Sequence, residues 1–262
     1  MEINGKAAVV TGASRGVGRA TALSLARQDC AVLVNYSSSK DQAEAVVEEA
    51  RAFGVKVISF QANVADDASC RAMMDAAAKE FGRLDILVNN AGTTEFIPHH
   101  KLEDVSEDTW NKILGVNLRG PFQCIRAAQK HMAAAGEGEV VNVASVAGVA
   151  GVGSCIPYAA SKAGLINMAT ALARALGPAI RINTVSPGFI AGAWLKAGLG
   201  ENYEPAKKAS EKRAVLGKVC EPQDVADAIL AVIAGSDLVT AQNIVVDGGS
   251  LIGPGIRRPS GE

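Results

Sequence analysis

The feature that most constrains this chain is the rhythm of its apolar segments. Short runs rich in β-branched residues alternate with longer alanine-rich stretches almost throughout, so the period of the pattern switches repeatedly between strand and helix. Runs at 7–10, 31–35, 56–61, 86–89, 140–144, 181–185 and 243–246 read as strands. Stretches at 17–28, 41–53, 68–81, 106–134, 157–176 and 222–234 read as helices. The strands are apolar at nearly every position, which suits a parallel sheet covered on both faces. Regular strand–helix alternation then calls for right-handed crossovers. The expected fold class is α/β: a doubly wound, mostly parallel seven-stranded sheet with helices on both faces, a Rossmann fold.

No linker, fixed-period repeat or low-complexity tract divides the 262 residues, so one domain over 1–262 is expected. Residues 189–221 break the rhythm. They follow the sixth strand, include lysines at 196, 207, 208 and 212, and carry Trp194 near their start. A segment placed beyond the carboxyl edge of a parallel sheet is where a lid over a ligand would sit. Trp194 could close over a substrate, whereas Trp110 falls in a helical pattern and reads as core. The tail 253–262 reads as a frayed end, with an oligomer contact as its alternative.

Composition excludes several classes of function. The 26 basic and 27 acidic residues form no long run of one sign, so neither a nucleic-acid arm nor an acidic tail is expected. No window approaches the ~18 apolar residues of a membrane span, and the first residues lack the pattern of a secretory signal. Cysteines at 30, 70, 124, 155 and 220 are odd in number and show no C-x-x-C spacing, which suits a reduced, cytoplasmic protein. The histidines at 99, 100 and 131 have no partners at ligand spacing, so no metal is expected and all three read as surface residues. Glutamates at 44, 48 and 49 read as the solvated face of the helix at 41–53.

The first strand runs into Thr11-Gly12-Ala13-Ser14-Arg15-Gly16-Val17-Gly18. Glycines at 12, 16 and 18 allow a tight turn and a close backbone approach, and the helix that begins there offers unpaired N–H groups to a pyrophosphate. An ordinary strand–helix turn is the plain alternative. After the second strand come Asn35-Tyr36-Ser37-Ser38-Ser39-Lys40, with no carboxylate before Asp41. A carboxylate there would bind the adenosine ribose and repel a 2′-phosphate. An amide, hydroxyls and the Arg15 guanidinium instead suit a dianion, so NADP(H) is favoured over NAD(H). Ser37, Ser38 and Ser39 could equally cap the following helix.

Ser145 lies just past the fifth strand, Tyr158 comes thirteen residues later, and Lys162 is one helical turn further on. Positions i and i+4 share a helix face. An ammonium beside Tyr158 would lower the phenol from its usual value of about 10. Tyr158 could then pass a proton to a substrate oxygen, which Ser145 would hold by a hydrogen bond.

Together these motifs resemble the short-chain dehydrogenase/reductase family, single-domain type, over residues 6–249. The glycine motif appears as Thr11-Gly12-x-x-x-Gly16-x-Gly18, the motif after the fourth strand as Asn89-Asn90-Ala91-Gly92, and a Pro-Gly pair as Pro187-Gly188. Asn117, Ser145, Tyr158 and Lys162 match the family's active-site set. The resemblance implies that Lys162 also binds the nicotinamide ribose and that Asn117 holds a water in a relay to Tyr158. It puts Asn90 beside the adenosine ribose and Ile190 beside the nicotinamide. Asn63-Val64 stands where the family has an Asp-Val adenine contact, the asparagine keeping an acceptor oxygen. The helices around 115–134 and 157–176 match those that pair subunits, which implies a homotetramer or homodimer.

The subgroup most resembled is the 3-oxoacyl-(acyl-carrier-protein) reductases and their NADP-dependent relatives. The chain departs from it at three places. Gly192 stands where a threonine often touches the nicotinamide carboxamide. Glu137 and Glu139, with Gly177-Pro178-Ala179, replace basic residues, and such acidic groups would repel an acidic carrier protein. Cys155 precedes Tyr158 where glutamine is frequent, and reads either as pocket lining or as buried structure. The expected activity is therefore NADP(H)-dependent hydride transfer with a small-molecule ketone or secondary alcohol, a 3-oxoacyl thioester among the candidates and an acyl-carrier protein left open. A dinucleotide-sensing regulator without turnover and a sugar-nucleotide epimerase or dehydratase are the alternatives.

Overall fold

Seven strands form one sheet in the order β3-β2-β1-β4-β5-β6-β7, with every neighbouring pair parallel. They are β1 (Ala7–Val10), β2 (Ala31–Tyr36), β3 (Val57–Gln61), β4 (Ile86–Asn89), β5 (Gly138–Val143), β6 (Ile180–Pro187) and β7 (Asn243–Val246). The computed structural model describes residues 1–254. Strand order reverses between β1 and β4, and the crevice beyond the carboxyl ends at such a switch point is where α/β sheets bind ligands.

Successive residues of a strand face opposite sides of a sheet, and here the two sides are distinct cores. Ala8, Val10, Val32 and Val34 pack with Leu23, Val46, Ile229 and Ile233 of α1 (Gly16–Ala26), α2 (Lys40–Arg51) and α10 (Pro222–Ala234). Val9, Leu33, Leu87 and Val140 pack on the other side with residues of α3 (Asp67–Phe81) and α5 (Gly120–Ala135), among them Met73, Met74 and Met132, and with Ala169 of α7 (Ile156–Leu176). Strands apolar at every position therefore have a use for both faces.

The helix expected at 106–134 is present over 107–135, but it is not a regular α-helix throughout. It consists of α4 (Glu107–Leu114), a π turn at Gly115–Arg119, and α5. Pro121 supplies part of the reason. It has no N–H, so the carbonyl of Asn117, four residues earlier, receives no α-helical hydrogen bond. The 189–221 segment is largely helical, with α8 (Ala193–Leu199) and α9 (Tyr203–Arg213) joined by a 3₁₀ turn. A four-residue α6 (Ala147–Ala150) also escaped the sequence reading.

The acidic patch expected at Glu137 and Glu139 does not exist as such. Glu139 lies in β5, fully buried and in register with Arg181 of β6. Its Oε2 is 2.9 Å from Arg181 Nη2, and its Oε1 accepts from Asn183 Nδ2 at 3.2 Å. Burial outweighs the guanidinium and pushes the carboxyl up to about 8. Glu137 is exposed but paired with Lys6 at 2.6 Å. Cross-strand register, which the sequence does not display, turned a presumed surface charge into a core one.

Other residues also differ from expectation. His131 is partly buried and bonded to Asp75, and the Nε2 of His99 is buried without a partner, so of the three only His100 is an ordinary surface histidine. Trp110 is half-buried rather than core, and Glu44 is half-buried and accepts from Ser59. All five cysteines are buried free thiols, Cys155 included. Most of the tail reading falls on 255–262, outside the described residues. Among the described residues no helix is long and apolar enough to cross a membrane.

Candidate active site

The turn after β1 shows why each glycine is there. Gly12 and Gly16 adopt left-handed φ values of 62° and 56°. A Cβ on Gly18 would lie 2.5 Å from both Asn90 Nδ2 and the Gly12 carbonyl. Beside Gly16 there is open space. Arg15, at the N-cap of α1, makes no side-chain cap bond, and the first helical turn contains no acid. The leading N–H groups of α1 thus have neither a cap nor a competing carboxylate, and the site fits a pyrophosphate. Arg15 and Gly16 are exposed, Ser14 is half-buried, and Val17 turns into the core.

Asn35 corrects the expected phosphate pocket. Its Oδ1 accepts from Gly12 N at 3.1 Å, and its Nδ2 donates to the carbonyls of Ala62 at 3.1 Å and Phe60 at 3.3 Å. The amide clamps the glycine turn to β2 and β3 and has nothing left for a ligand. Tyr36 is buried in the core. The polar residues left at the end of β2 are therefore Ser37, Ser38, Ser39 and Lys40. Ser39 occupies the N-cap of α2 without making a side-chain cap bond, so capping does not occupy its hydroxyl. Among the described residues neither Arg15 nor Lys40 has an ion-pair partner.

The Asn89–Gly92 segment locks the tips of β1 and β4. Asn90 Nδ2 donates to the carbonyls of Thr11 and Gly12 at 2.9 and 3.0 Å, and the N–H groups of Asn90 and Ala91 both donate to Thr11 Oγ1 at 3.0 Å. The Asn90 side chain is thus a brace for the turn. Thr11 is a hub the sequence reading gave no role. Asn63 is exposed, and its Oδ1 accepts from Ala65 N at 3.0 Å, so the acceptor oxygen is spent within its own loop. Val64 is buried, and its carbonyl accepts from Gln123 Nε2 at 2.8 Å.

Pro157 at the start of α7 suits the first helical turn, where its missing N–H costs nothing. Tyr158 and Lys162 follow on one buried face. Lys162 Nζ donates to the Val143 carbonyl at 2.8 Å and lies 5.8 Å from the centre of the Tyr158 ring. Asn117, placed by the π turn, grips Thr93: its Oδ1 accepts from Thr93 N at 2.8 Å and its Nδ2 donates to Thr93 O at 2.9 Å. The same Nδ2 donates to Ser161 Oγ at 3.1 Å, and Ser161 in turn donates to the Tyr158 carbonyl at 2.7 Å. Ser161 went unread in the sequence, although its i+3 spacing from Tyr158 was the available signal. A Cβ on Gly92 would lie 3.6 Å from Asn117 Oδ1 and 3.8 Å from Lys162 Nζ, so these three residues meet at one spot.

The Ser145 hydroxyl accepts from Ala147 N at 3.1 Å and stands near enough to the Tyr158 phenol to favour its ionised form. Burial is the stronger influence and pushes Tyr158 up to about 12. Burial also pushes Lys162 down to about 8. The expectation that the ammonium lowers the phenol is not met here, because the Lys162 proton is directed to Val143 and desolvation dominates both groups. Tyr158 is held firmly as an acid.

Gly148 sets the approach of α6 to α7. A Cβ there would sit 2.5 Å from the Lys162 carbonyl carbon and 2.6 Å from Ala163 N, both backbone atoms. Gly148→Ala is expected to push the two helices apart, moving Ser145 off Tyr158. A 1 Å misplacement of a reacting group can lower turnover by ~100-fold, and steady-state kcat on the folded variant measures it. The far side of the cleft comes from the end of β6. Gly188 N donates to the Val246 carbonyl at 2.8 Å, Val146 N donates to Pro187 O at 3.0 Å, and Ile190 bridges to Cys220 in parallel. Gly192 faces open space.

The family model described as Enoyl-(Acyl carrier protein) reductase matches residues 12–250. The 3-oxoacyl-[acyl-carrier-protein] reductase FabG of Staphylococcus aureus is 39% identical over 246 residues, 93% of this chain and 97% of that one. A solved structure from Burkholderia xenovorans, assigned to the short-chain dehydrogenases/reductases, superposes with a TM-score of 0.87 at 32% identity, covering 95% of this chain and 98% of that one. NAD+-bound xylitol dehydrogenase gives 0.86 at 26% identity, with 95% and 100% covered.

Proposed function

The chain belongs to the short-chain dehydrogenase/reductase family and is an oxidoreductase of ketone and CH–OH groups; from that premise we propose that it is NADP(H)-dependent and uses Tyr158 as its acid. One observation carries the assignment of a carbonyl as the reacting group. The hydroxyls of Ser145 and Tyr158 stand together at the end of β5 and the start of α7. Two neighbouring hydroxyls can both donate to an oxygen with two lone pairs, which a carbon–carbon double bond does not present.

The bound dinucleotide would supply or accept the hydride. Ser145 fixes the substrate oxygen, and Tyr158, protonated throughout the neutral range, gives that oxygen its proton. Lys162 holds the nicotinamide ribose and poises charge beside the phenol. The Asn117 carbonyl, freed from the helix by Pro121, seats a water that resupplies the proton. Pro187, Gly188 and Ile190 bound the nicotinamide side of the cleft. Gly12, Ser14, Gly16, Val17 and Gly18 form the pyrophosphate turn, with Asn90, Ala91 and Gly92 beside the adenosine ribose and Asn63 and Val64 beside adenine. Arg15 and Ser37 carry the preference for a 2′-phosphate, with Asn35 and Tyr36 shaping the strand end that presents them.

With Glu139 inside the sheet and Glu137 paired, the charge expected to repel a carrier protein is much reduced, and a 3-oxoacyl thioester stays within the substrate range. A turnover-free sensor finds no support in a site that keeps Ser145, Tyr158 and Lys162 together, and no observation favours an epimerase or dehydratase. Pairing through α5 and α7 into a dimer or tetramer, and residence in the reducing cytoplasm, accord with the small residues of those helices and the five free thiols. The test is a titration of NADPH against NADH, followed by ketones and 3-oxoacyl thioesters with the better cofactor. Arg15→Glu is expected to lower the NADPH-over-NADH preference by ~10–100-fold, the worth of a charge-assisted contact. An unchanged preference would remove Arg15 from the phosphate site.

A further inference from the structure

The acid of this site is covered by an aromatic side chain that none of the chemistry above uses. Trp194 opens α8, and its ring lies edge-to-face with Tyr158, centroids 6.3 Å apart and planes inclined at 61°. The same residue is 44% exposed, so the ring that packs on the acid also presents apolar surface to solvent. The lid that carries it is braced. Tyr203 at the start of α9 packs on Phe189 with centroids 5.7 Å apart, and Lys196 Nζ lies 5.3 Å from the Tyr203 ring. Gly198 sits so close to Phe96 that a Cβ would fall 1.9 Å from that ring.

Phe96 is itself fixed from below. Ile97 N donates to the Ser154 carbonyl at 2.9 Å, and the Thr94 and Ser154 hydroxyls are 2.5 Å apart. The loop after β4, the segment joining Ser145 to Tyr158, and the lid therefore form one connected wall. Its exposed side chains include the apolar Phe96, Val149, Val152 and Trp194. A hydroxyl-rich substrate would press unpaired polar groups against such a surface, which is unfavourable. A flat hydrophobic group would bury area against indole and phenyl rings.

Building on the ketone-reductase reading, we infer that Trp194 is a specificity-determining residue that receives a flat hydrophobic substituent of the reacting carbonyl, so that aryl ketones are preferred over small aliphatic and polyhydroxylated ones. The substrate oxygen points at Tyr158, and the substituent lies along the indole that borders it.

The experiment compares wild type, Trp194→Ala and Trp194→Phe with an aryl ketone and a small aliphatic ketone under saturating NADPH. The ratio of kcat/KM for aryl over aliphatic ketone is expected to fall ~10–100-fold in Trp194→Ala, mostly through KM. Trp194→Phe, which keeps a ring, is expected to recover most of that ratio. A ratio that stays within about twofold in Trp194→Ala overturns the proposal, as does a loss that phenylalanine fails to restore. A second readout needs no turnover. The chain has two tryptophans, so Trp110→Phe leaves Trp194 as the sole indole. Its fluorescence is expected to change when the aryl ketone joins the complex with oxidised dinucleotide, and to be insensitive to a polyol. Ketone-dependent quenching without hydride transfer would overturn the reductase reading and leave the indole seat standing. Hydride transfer without quenching would do the reverse, and loss of both would remove both.

Discussion

Tyr158→Phe is expected to lower kcat by ~10²–10⁴-fold, the range of a positioned general acid, while leaving the dissociation constant for NADPH within about threefold. The substitution removes one oxygen. The ring stays against Trp194 and in the small core with Ile113, Ala147 and Cys155, so the fold has no reason to respond. Lys162 also keeps its bond, because that bond runs to the Val143 carbonyl rather than to the phenol. What disappears is the proton of a phenol that burial has pushed up to about 12, next to the Ser145 hydroxyl. Single-turnover oxidation of NADPH separates the chemical step from cofactor binding. A variant that retained most of its kcat would show that another group delivers the proton.

The second large effect falls far from the chemistry. Arg181→Met is expected to destabilise the fold by ~3–5 kcal/mol in urea denaturation, since each buried acceptor left without its donor costs about 1–3 kcal/mol. Arg181 also donates to the carbonyls of Ile233, Ser236 and Val239, which would all lose a partner. The pH dependence separates the two contributions. Glu139 has a folded-state value raised above the ordinary carboxyl range to about 8, so the native state binds the proton more tightly than the unfolded chain. The stability due to that proton is complete below the usual carboxyl range and is lost as pH rises through about 8. Wild type should therefore weaken from the ordinary carboxyl value of 4.5 up to about 8, and Glu139→Gln should flatten that part of the profile. A wild-type profile unaltered by Glu139→Gln would mean that the carboxyl is already ionised in the folded protein at neutral pH.

Much of this architecture was legible because it depends on local periodicity. Seven apolar runs of strand length predicted seven strands, and their burial on both faces predicted parallel pairing. Ser145, Tyr158 and Lys162 were legible for a similar reason, since thirteen residues and then one helical turn are local distances. Properties that depend on competition among neighbours were not. The residue type of Asn35 announces donors and an acceptor, but not that Gly12, Phe60 and Ala62 would claim them. The type of Glu139 announces a charge, but only the β5–β6 register reveals that it lies inside, opposite Arg181. The same limit applies to the Tyr158–Lys162 pair. Spacing places the two groups on one face, whereas the depth at which that face is buried decides that desolvation rules their proton affinities. Pro121 within a helical pattern was a readable sign of the break near Asn117, and only the structure gives the break its value.

That break has a consequence for anyone who would engineer this protein. A π turn holds one residue more than a regular helix needs, and each residue rotates a helix by about 100°. Trimming the surplus position and replacing Pro121 would give a straighter, more continuous rod, attractive on stability grounds alone. It would also swing Asn117 away from Thr93 and Ser161. On the proposed reading, smoothing the scaffold would also dismantle the seat of Asn117, which counts the flaw in the helix among the working parts.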